Sequence, residues 1–517
     1  MEMFQNVFDS VDTVFTYVLV AVLIPTGLYF TIRTGAVQIR LLPEMFRTLT
    51  QPGGRDAEGK KNISPFRAFS ISAASRVGTA NIAGVALAIS LGGPGAMFWM
   101  WLTAIVGGAT AFAESALGQL YKVKDGPNFR GGPAYYITHG LKMKWLGLIF
   151  AVIVAITYGI VFNTVQSNSI VDAVGASFDI DGSNNFMFSA IGGLVIAVGA
   201  YAIFVGGAKR ISNVSAYLVP IMAGLYLIVG IIVVVMNIGA VPGMIGTIFS
   251  DAFSMHSIAG GSIGSIMLVG VQRGLFSNEA GIGSVPNAAA TASASHPAKQ
   301  GFVQSLGVYF DTILVCSITA FIILLSNPEY GSSAEGVQLT QTALSGQLGQ
   351  WAIHFLTFAI FLFAFSSILG NYYYGEANIE HLTRSRVALR IYQVIVMVAV
   401  FVGAIAALDI VWTAANIFMA IMALINLFAL LMLSPLVFSL LKNYMNQRRA
   451  GQEPIFRRDD LPSFKHINTE VEAWDDTDEV TTTAFWESRG KNVRQDPVRA
   501  DGGTEEDAGG SGRPPQQ

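Results

Sequence analysis

The stretch SRVGTANIAG, Ser75 to Gly84, lies in the middle of a segment, residues 66–91, that is otherwise apolar enough to cross a bilayer. Gly78 and Gly84 weaken a helix, and the side chains of Thr79 and Asn81 compete with its backbone ladder. In hydrocarbon, N–H and C=O groups freed in this way are tolerated only when buried in protein or lining a watery cavity. A broken helix at membrane depth is therefore a candidate ligand site. The competing reading is a close helix–helix contact, because small residues let backbones approach in membranes.

The whole chain supports a membrane setting. Of 517 residues, 52% are hydrophobic and 13% charged, against roughly 25% charged in an ordinary soluble domain. The mean hydropathy is +0.52. We expect an all-α polytopic protein of about eleven transmembrane helices, near 13–32, 66–91, 96–120, 145–171, 187–206, 212–239, 262–290, 300–325, 349–369, 388–408 and 410–440. The first is read as a retained helix, since its flank MEMFQNVFDSVD is acidic where a signal peptide would be basic. Cys316 is the only cysteine, which excludes an intrachain disulfide and a cysteine metal cluster.

Lys and Arg alternate between loops. Arg33, Arg40, Arg47, Arg55, Lys60, Lys61 and Arg67 follow the first segment, and Lys122, Lys124, Arg130, Lys142 and Lys144 follow the third. Lys209, Arg210, Lys299, Arg384 and Arg386 fall in later alternate loops. The intervening loops 172–186 and 326–348 hold Asp172, Asp179, Asp181, Glu329 and Glu335 but no Lys or Arg. The positive-inside rule then places the amino terminus outside and the carboxyl terminus in the cytoplasm.

From Gly451 onward there are 15 acidic and 8 basic residues, leaving 19 acidic and 23 basic in the rest. A tail so rich in charge, Gly, Pro and Ser cannot bury enough apolar surface to order itself. We expect 441–517 to be a disordered cytoplasmic tail; the alternative is that EAW at 472–474 and AFW at 484–486 dock onto a partner.

A second stretch, VQRGLFSNEAGIGS from Val271 to Ser284, interrupts another apolar segment with Gly274, Ser277, Asn278, Gly281 and Gly283, and adds Arg273 and Glu279. The two interrupted segments are five apart. With 13–32 set aside as peripheral, 66–239 and 262–440 form two halves of nearly equal length, each opening on its broken helix. Five spans per half put the halves in opposite orientation. Paired interruptions in inverted halves point to a transporter's midplane site.

Six stretches in order, LGGPGAMFWMWL (91–102), GPNFRGGPAYYI (126–137), TVQSNSI (164–170), RGLFSNEAGIGSVP (273–286), YFDT (309–312) and AFSSILGNYYYGE (364–376), resemble the alanine/glycine:cation symporter family over about residues 10–440. The resemblance implies the LeuT-type fold, two inverted five-helix repeats around a central amino-acid site, with Na⁺ as the usual coupling ion. It also implies Na⁺ ligands: the carbonyls of Ala74, Val77 and Phe363 and the hydroxyls of Ser366 and Ser367. Many members read G-T-G-N where this chain has Gly78-Thr79-Ala80-Asn81, and some carry Trp at the position of Asn371. The expected function is Na⁺-coupled symport of a small neutral amino acid, alanine or glycine, across a bacterial inner membrane. Expected partners are that amino acid, Na⁺ and membrane lipid, with no cofactor and no nucleic acid; no oligomeric state is assigned.

The chemistry of the ligand picks out residues beside the resemblance. A zwitterion leaving water needs protein partners for both charges. The N–H groups of Gly78, Thr79 and Ala80 and the half-helix dipole suit its carboxylate, with Asn81 beside them. Gln166 offers an acceptor to the ammonium and a donor to the carboxylate. Phe276, Ser277 and Asn278 would close the pocket, Phe276 limiting side-chain volume. Arg76, Glu114, Arg273, Glu279 and Asp311 are ionisable at membrane depth and need partners; the expected pairs are Arg273 with Glu279 and Arg76 with Glu114, with Asp311 assisting a second cation or orienting Asn278. The chain has no H-E-x-x-H spacing among its six histidines and no P-loop, so no enzyme or ATP-driven pump is expected. The rival readings are a channel or uncoupled facilitator, and a membrane sensor for an amino acid.

Overall fold

The structure, a computed structural model, describes residues 2–494 except 56–58, 126–127, 181–184, 255–261, 329–335, 407 and 475–477. Asp181, Glu329, Glu335 and the tail from 495 lie outside the described residues.

The helices that build the body are α1 (Glu2–Arg33), α2 (Pro65–Arg76), α3 (Ala83–Gly92), α4 (Ala96–Leu120), α5 (Lys144–Ser177), α6 (Phe186–Phe204), α7 (Gly207–Met236), α8 (Ile263–Asn278), α9 (Val285–Ala289), α10 (Pro297–Leu324), α11 (Trp351–Leu382), α12 (Arg386–Ile405) and α13 (Leu408–Arg449). Among the described residues nine are long and apolar enough to cross a membrane, and α2 with α3 makes a further span bent by 64°. The second interrupted segment divides into the 16-residue α8 and the five-residue α9.

Helices α2 to α7 and α8 to α13 are two sets of the same plan: a broken helix, then four continuous ones. Corresponding members pack on one another across the molecule: α4 against α10, α5 against α11, α6 against α12. Each broken helix also leans on the other half, α3 against α8 and α2 against α11. The outer helices α6, α7 and α12 turn apolar side chains outward, with Val195 65%, Tyr217 75% and Val398 55% exposed. Such contiguous apolar surface suits lipid. The inner helices α4, α5 and α11 are mostly buried.

Helices outside the spans went unread in the sequence, among them Leu42–Leu49, Val241–Ala252 and Val337–Leu348. Their polar faces and short length carry no span signal. α11 runs past the expected 369 to Leu382, and α13 past 440 to Arg449. The expected disordered tail is corrected over its described part. After Arg449 the chain folds back on the basic face, burying Ile455, Phe456, Trp474, Val480, Phe485 and Trp486. Hydrogen bonds to the body and these apolar anchors supply what composition alone did not reveal.

Candidate functional site

At the end of α2 the backbone leaves helical geometry at Val77 (ψ 83) and Gly78. The Gly78 N–H donates to Asn81 Oδ1 at 2.9 Å, and the Thr79 N–H and hydroxyl donate to Gln166 Oε1 at 3.2 and 2.8 Å. In a continuous helix these two N–H groups would bond the carbonyls of Ala74 and Ser75. The Ala74 carbonyl is instead approached by the Ser366 hydroxyl at 3.4 Å, and both Ser366 and Ser367 donate to the Phe363 carbonyl, at 2.8 and 3.1 Å. Four of the five expected cation ligands thus meet where α2 crosses α11, and Val77 stands at the turn beside them. Carbonyl and hydroxyl oxygens are what a hard cation binds. A Cβ on Gly78 would lie 2.2 Å from Ser367 Oγ and 3.1 Å from Gln166 Oε1. Glycine is therefore required there for α2, α5 and α11 to converge, which joins the packing reading of this stretch to the ligand reading.

The second break has its own support. Glu279, Gly281 and Gly283 take positive φ of 56°, 86° and 88°. The turn is held by Glu114 of α4, whose carboxylate accepts from the N–H groups of Gly281 and Gly283 at 3.1 Å each and from Asn426 Nδ2 at 2.8 Å. Asn278 Oδ1 accepts from the Ala280 N–H at 3.0 Å, while its Nδ2 is buried with no partner among the described residues. Phe276 packs between Phe162 and Trp412, ring centroids 4.8 and 5.0 Å away.

Two buried carboxylates tie the breaks together. Asp311 accepts from Asn81 Nδ2 at 2.6 Å and from the Ser277 hydroxyl, with Thr312 adding a third bond at 3.1 Å. Glu279 accepts from Ser75 at 3.1 Å and Ser284 at 2.6 Å. Each carboxylate thus takes donors from both halves. A buried charge of this kind is tolerated only when its lone pairs are satisfied.

All the expected substrate residues, Gly78, Thr79, Ala80, Asn81, Gln166, Phe276, Ser277 and Asn278, are buried near these breaks. The structure corrects the expected ion pairs. Arg273 lies over the Trp412 ring at 4.9 Å, while Glu279 serves Ser75 and Ser284. Arg76 donates to Gln304 Oε1 at 2.7 Å and Ser72 Oγ at 3.0 Å, while Glu114 caps the second break. Asp311 orients Asn81 and Ser277 rather than Asn278. Asn371 bridges Ser75 Oγ (2.7 Å) and Asn163 Oδ1 (3.1 Å), a link between helices. Sequence reasoning missed Phe162, Trp412 and Asn426. The first two are ordinary apolar residues in their own segments, and only the polar Asn426 inside an apolar run gave a signal.

The profile of the sodium:alanine symporter family matches residues 1–458. The chain is 48% identical to the amino-acid carrier protein AlsT of Bacillus subtilis over 92% of this chain and 99% of that one. It is 45% identical to the probable sodium/glutamine symporter GlnT of the same organism over 91% and 96%. It is 37% identical to the sodium/alanine symporter AgcS of Methanococcus maripaludis over 85% and 97%. Among solved structures, MhsT in complex with L-phenylalanine superposes with a TM-score of 0.50 at 13% identity, covering 77% of this chain and 90% of that one. That likeness gives the fold: LeuT-type, as expected.

Proposed function

The chain belongs to the sodium:alanine symporter family, a family of transporters and not of enzymes, and on that premise we propose that it imports a small neutral amino acid, alanine or glycine, with Na⁺ by alternating access. The observation that carries this reading is the first break, where freed carbonyls and freed N–H groups sit back to back on one turn of chain. The carbonyl of Ala74, with Phe363, Ser366 and Ser367, forms the cation side. The N–H groups of Gly78, Thr79 and Ala80 form the carboxylate side. Gln166 Oε1 now fills the Thr79 donors as a substrate carboxylate would. Binding then displaces Gln166, whose freed amide turns to the substrate. Asn278 Nδ2, Ser277 and Phe276 complete the pocket, and Phe276 with Phe162 and Trp412 limits side-chain size. In this reading the basic face is cytoplasmic and the membrane is a bacterial inner membrane. A relative named for alanine and another named for glutamine support a neutral substrate.

Because both ligands share one turn of chain, each should tighten the other, typically by about 5- to 150-fold. The test is alanine uptake into proteoliposomes at varied Na⁺. Ser366→Ala with Ser367→Ala removes two oxygen ligands and should raise the half-maximal Na⁺ concentration about tenfold or more, with alanine affinity at saturating Na⁺ much less changed. Equal Na⁺ dependence in variant and parent removes the serines from the cation site. Uptake indifferent to Na⁺ returns the protein to a facilitator or channel, and binding without uptake to a sensor.

A further inference from the structure

The segment that follows α13 does more than lie on the basic face. It joins the chain entering α2 to the chain leaving α9. These two connections are the basic-face ends of the two broken helices, and they also touch directly: the Ser293 N–H donates to the Ile63 carbonyl at 2.8 Å, and Ile63, Ala68 and Ala292 form a small buried cluster. Any opening of the central site toward the basic face has to part this seam.

The tail staples the seam twice, each time with one carboxylate shared between the two sides. Glu453 accepts from Lys299 Nζ at 2.6 Å on α10, and from Arg47 Nη1 at 2.6 Å and Gln51 Nε2 at 2.9 Å on the connection that enters α2, whose helix Leu42–Leu49 packs on α10 and touches α2. Asp478 accepts from the Ser293 hydroxyl at 2.9 Å and from Asn62 Nδ2 at 3.3 Å. Between the staples, the Phe456 N–H bonds the Ser295 carbonyl (2.8 Å), and Trp474 Nε1 bonds the Leu120 carbonyl at the end of α4 (3.0 Å). Trp486 lies under the Lys299 ammonium at 4.5 Å. Lys299 is 0% and Glu453 3% exposed, so this is an ion pair withdrawn from water, where removing one partner is strongly destabilising.

We propose that the described parts of the segment after α13, residues 452–474 and 478–494, are a releasable strap that holds the basic-face gate shut, so that the rate of opening toward that face is set by undocking of the strap at Glu453 and Asp478. The proposal rests on the alternating-access reading, and it adds a control that the transport site itself lacks. Opening and strap release are then one coupled equilibrium, and anything that weakens the strap populates the open form.

The test uses the full-length chain with Cys316→Ser and a reporter, Ala292→Cys, which is 0% exposed at the seam. A thiol reagent is applied to the basic face in inside-out vesicles without substrate, so the reading is independent of what the protein carries. Adding Glu453→Gln and Asp478→Asn should accelerate modification of the reporter about tenfold or more. Retained Na⁺-dependent alanine binding marks the folded protein. Should the double variant lose binding, Trp474→Ala, which leaves both staples in place, takes its role, with acceleration in the same direction. Equal modification rates in the parent and in whichever variant keeps binding overturn the strap. A failure of alanine to bind any of the proteins, with the reporter still accelerated, would overturn the substrate and leave the strap.

Discussion

His296 stands just ahead of α10 with both ring nitrogens engaged: Nδ1 accepts the Ala298 N–H at 3.1 Å, and Nε2 lies 3.2 Å from Asn443 Oδ1. That pattern fixes the neutral ring with its proton on Nε2. Burial, ahead of the nearby charges of Lys299 and Arg494 and against the Asn443 bond, pushes its pKa down to about 3. The unfolded chain protonates this ring below about pH 6.5, so unfolding takes up a proton between there and 3. Stability is therefore full above that range and falls as the pH drops, by on the order of 2 kcal/mol at pH 5 from this one group. His296→Asn should flatten the fall in melting temperature of the purified protein between pH 7 and 5. The same slope in both proteins would mean that the ring is charged in the fold. Glu453 is also pushed down, for a different reason: burial raises its carboxyl, but Lys299 and Arg47 outweigh it and hold it at about 2, so this carboxylate keeps its charge at any physiological pH. Neither role was legible from the residues alone. Asn443 is 147 positions from His296 and Lys299 is 154 from Glu453, and no local spacing records such pairs. Gly78 was legible, because a glycine followed by Thr79 and Asn81 inside an apolar run contradicts the run.

At the scale of elements, the breaks were readable and their supports were not. Glycines and amides announce where a membrane helix stops, but the carboxylate that pays for the exposed backbone sits on another helix. Glu114 is the case in point, since Gly281 and Gly283 are 167 and 169 residues away from it. Glu114→Ala strips two buried N–H groups of their acceptor, at about 1–3 kcal/mol each. Glu114→Gln keeps a single amide oxygen and should fall between variant and parent. Melting temperature in detergent orders the three proteins, and identical values for parent and Glu114→Ala would show that the second break stands without α4. The expected end of α11 fell short for a related reason. Asn371, Asn378 and Glu376 lower the hydropathy past 369, yet they are buried, and Asn371 and Asn378 find partners inside the bundle. A hydropathy reading counts their polarity and not its satisfaction.

For the whole molecule, the two interruptions divide the helices into two sets of like order, and the sets meet where α4, α5 and α6 pack on α10, α11 and α12. Composition misled in the tail: EAW and AFW stood out as docking points and Trp474 and Trp486 are buried, but two such motifs in a charged segment do not announce a folded one. One outer helix carries the argument beyond the protein. α7 has 30 residues, and past Lys209 and Arg210 at its basic-face end the remaining part is about 39 Å of helix against a hydrocarbon core of about 30 Å, so it leans, and Pro220 lets it bend. Its outward surface is apolar along its length, with Ile221, Ile228 and Val235 exposed, while its inner surface packs on α2 and α11. A thicker bilayer uprights such a helix, and the lean of α7 is passed directly to the crossing where Ala74, Phe363 and Ser366 meet. Bilayer thickness thus becomes an input to transport. Uptake in vesicles of increasing acyl-chain length should pass through a maximum, and a rate indifferent to chain length would show that α7 adjusts without moving its neighbours.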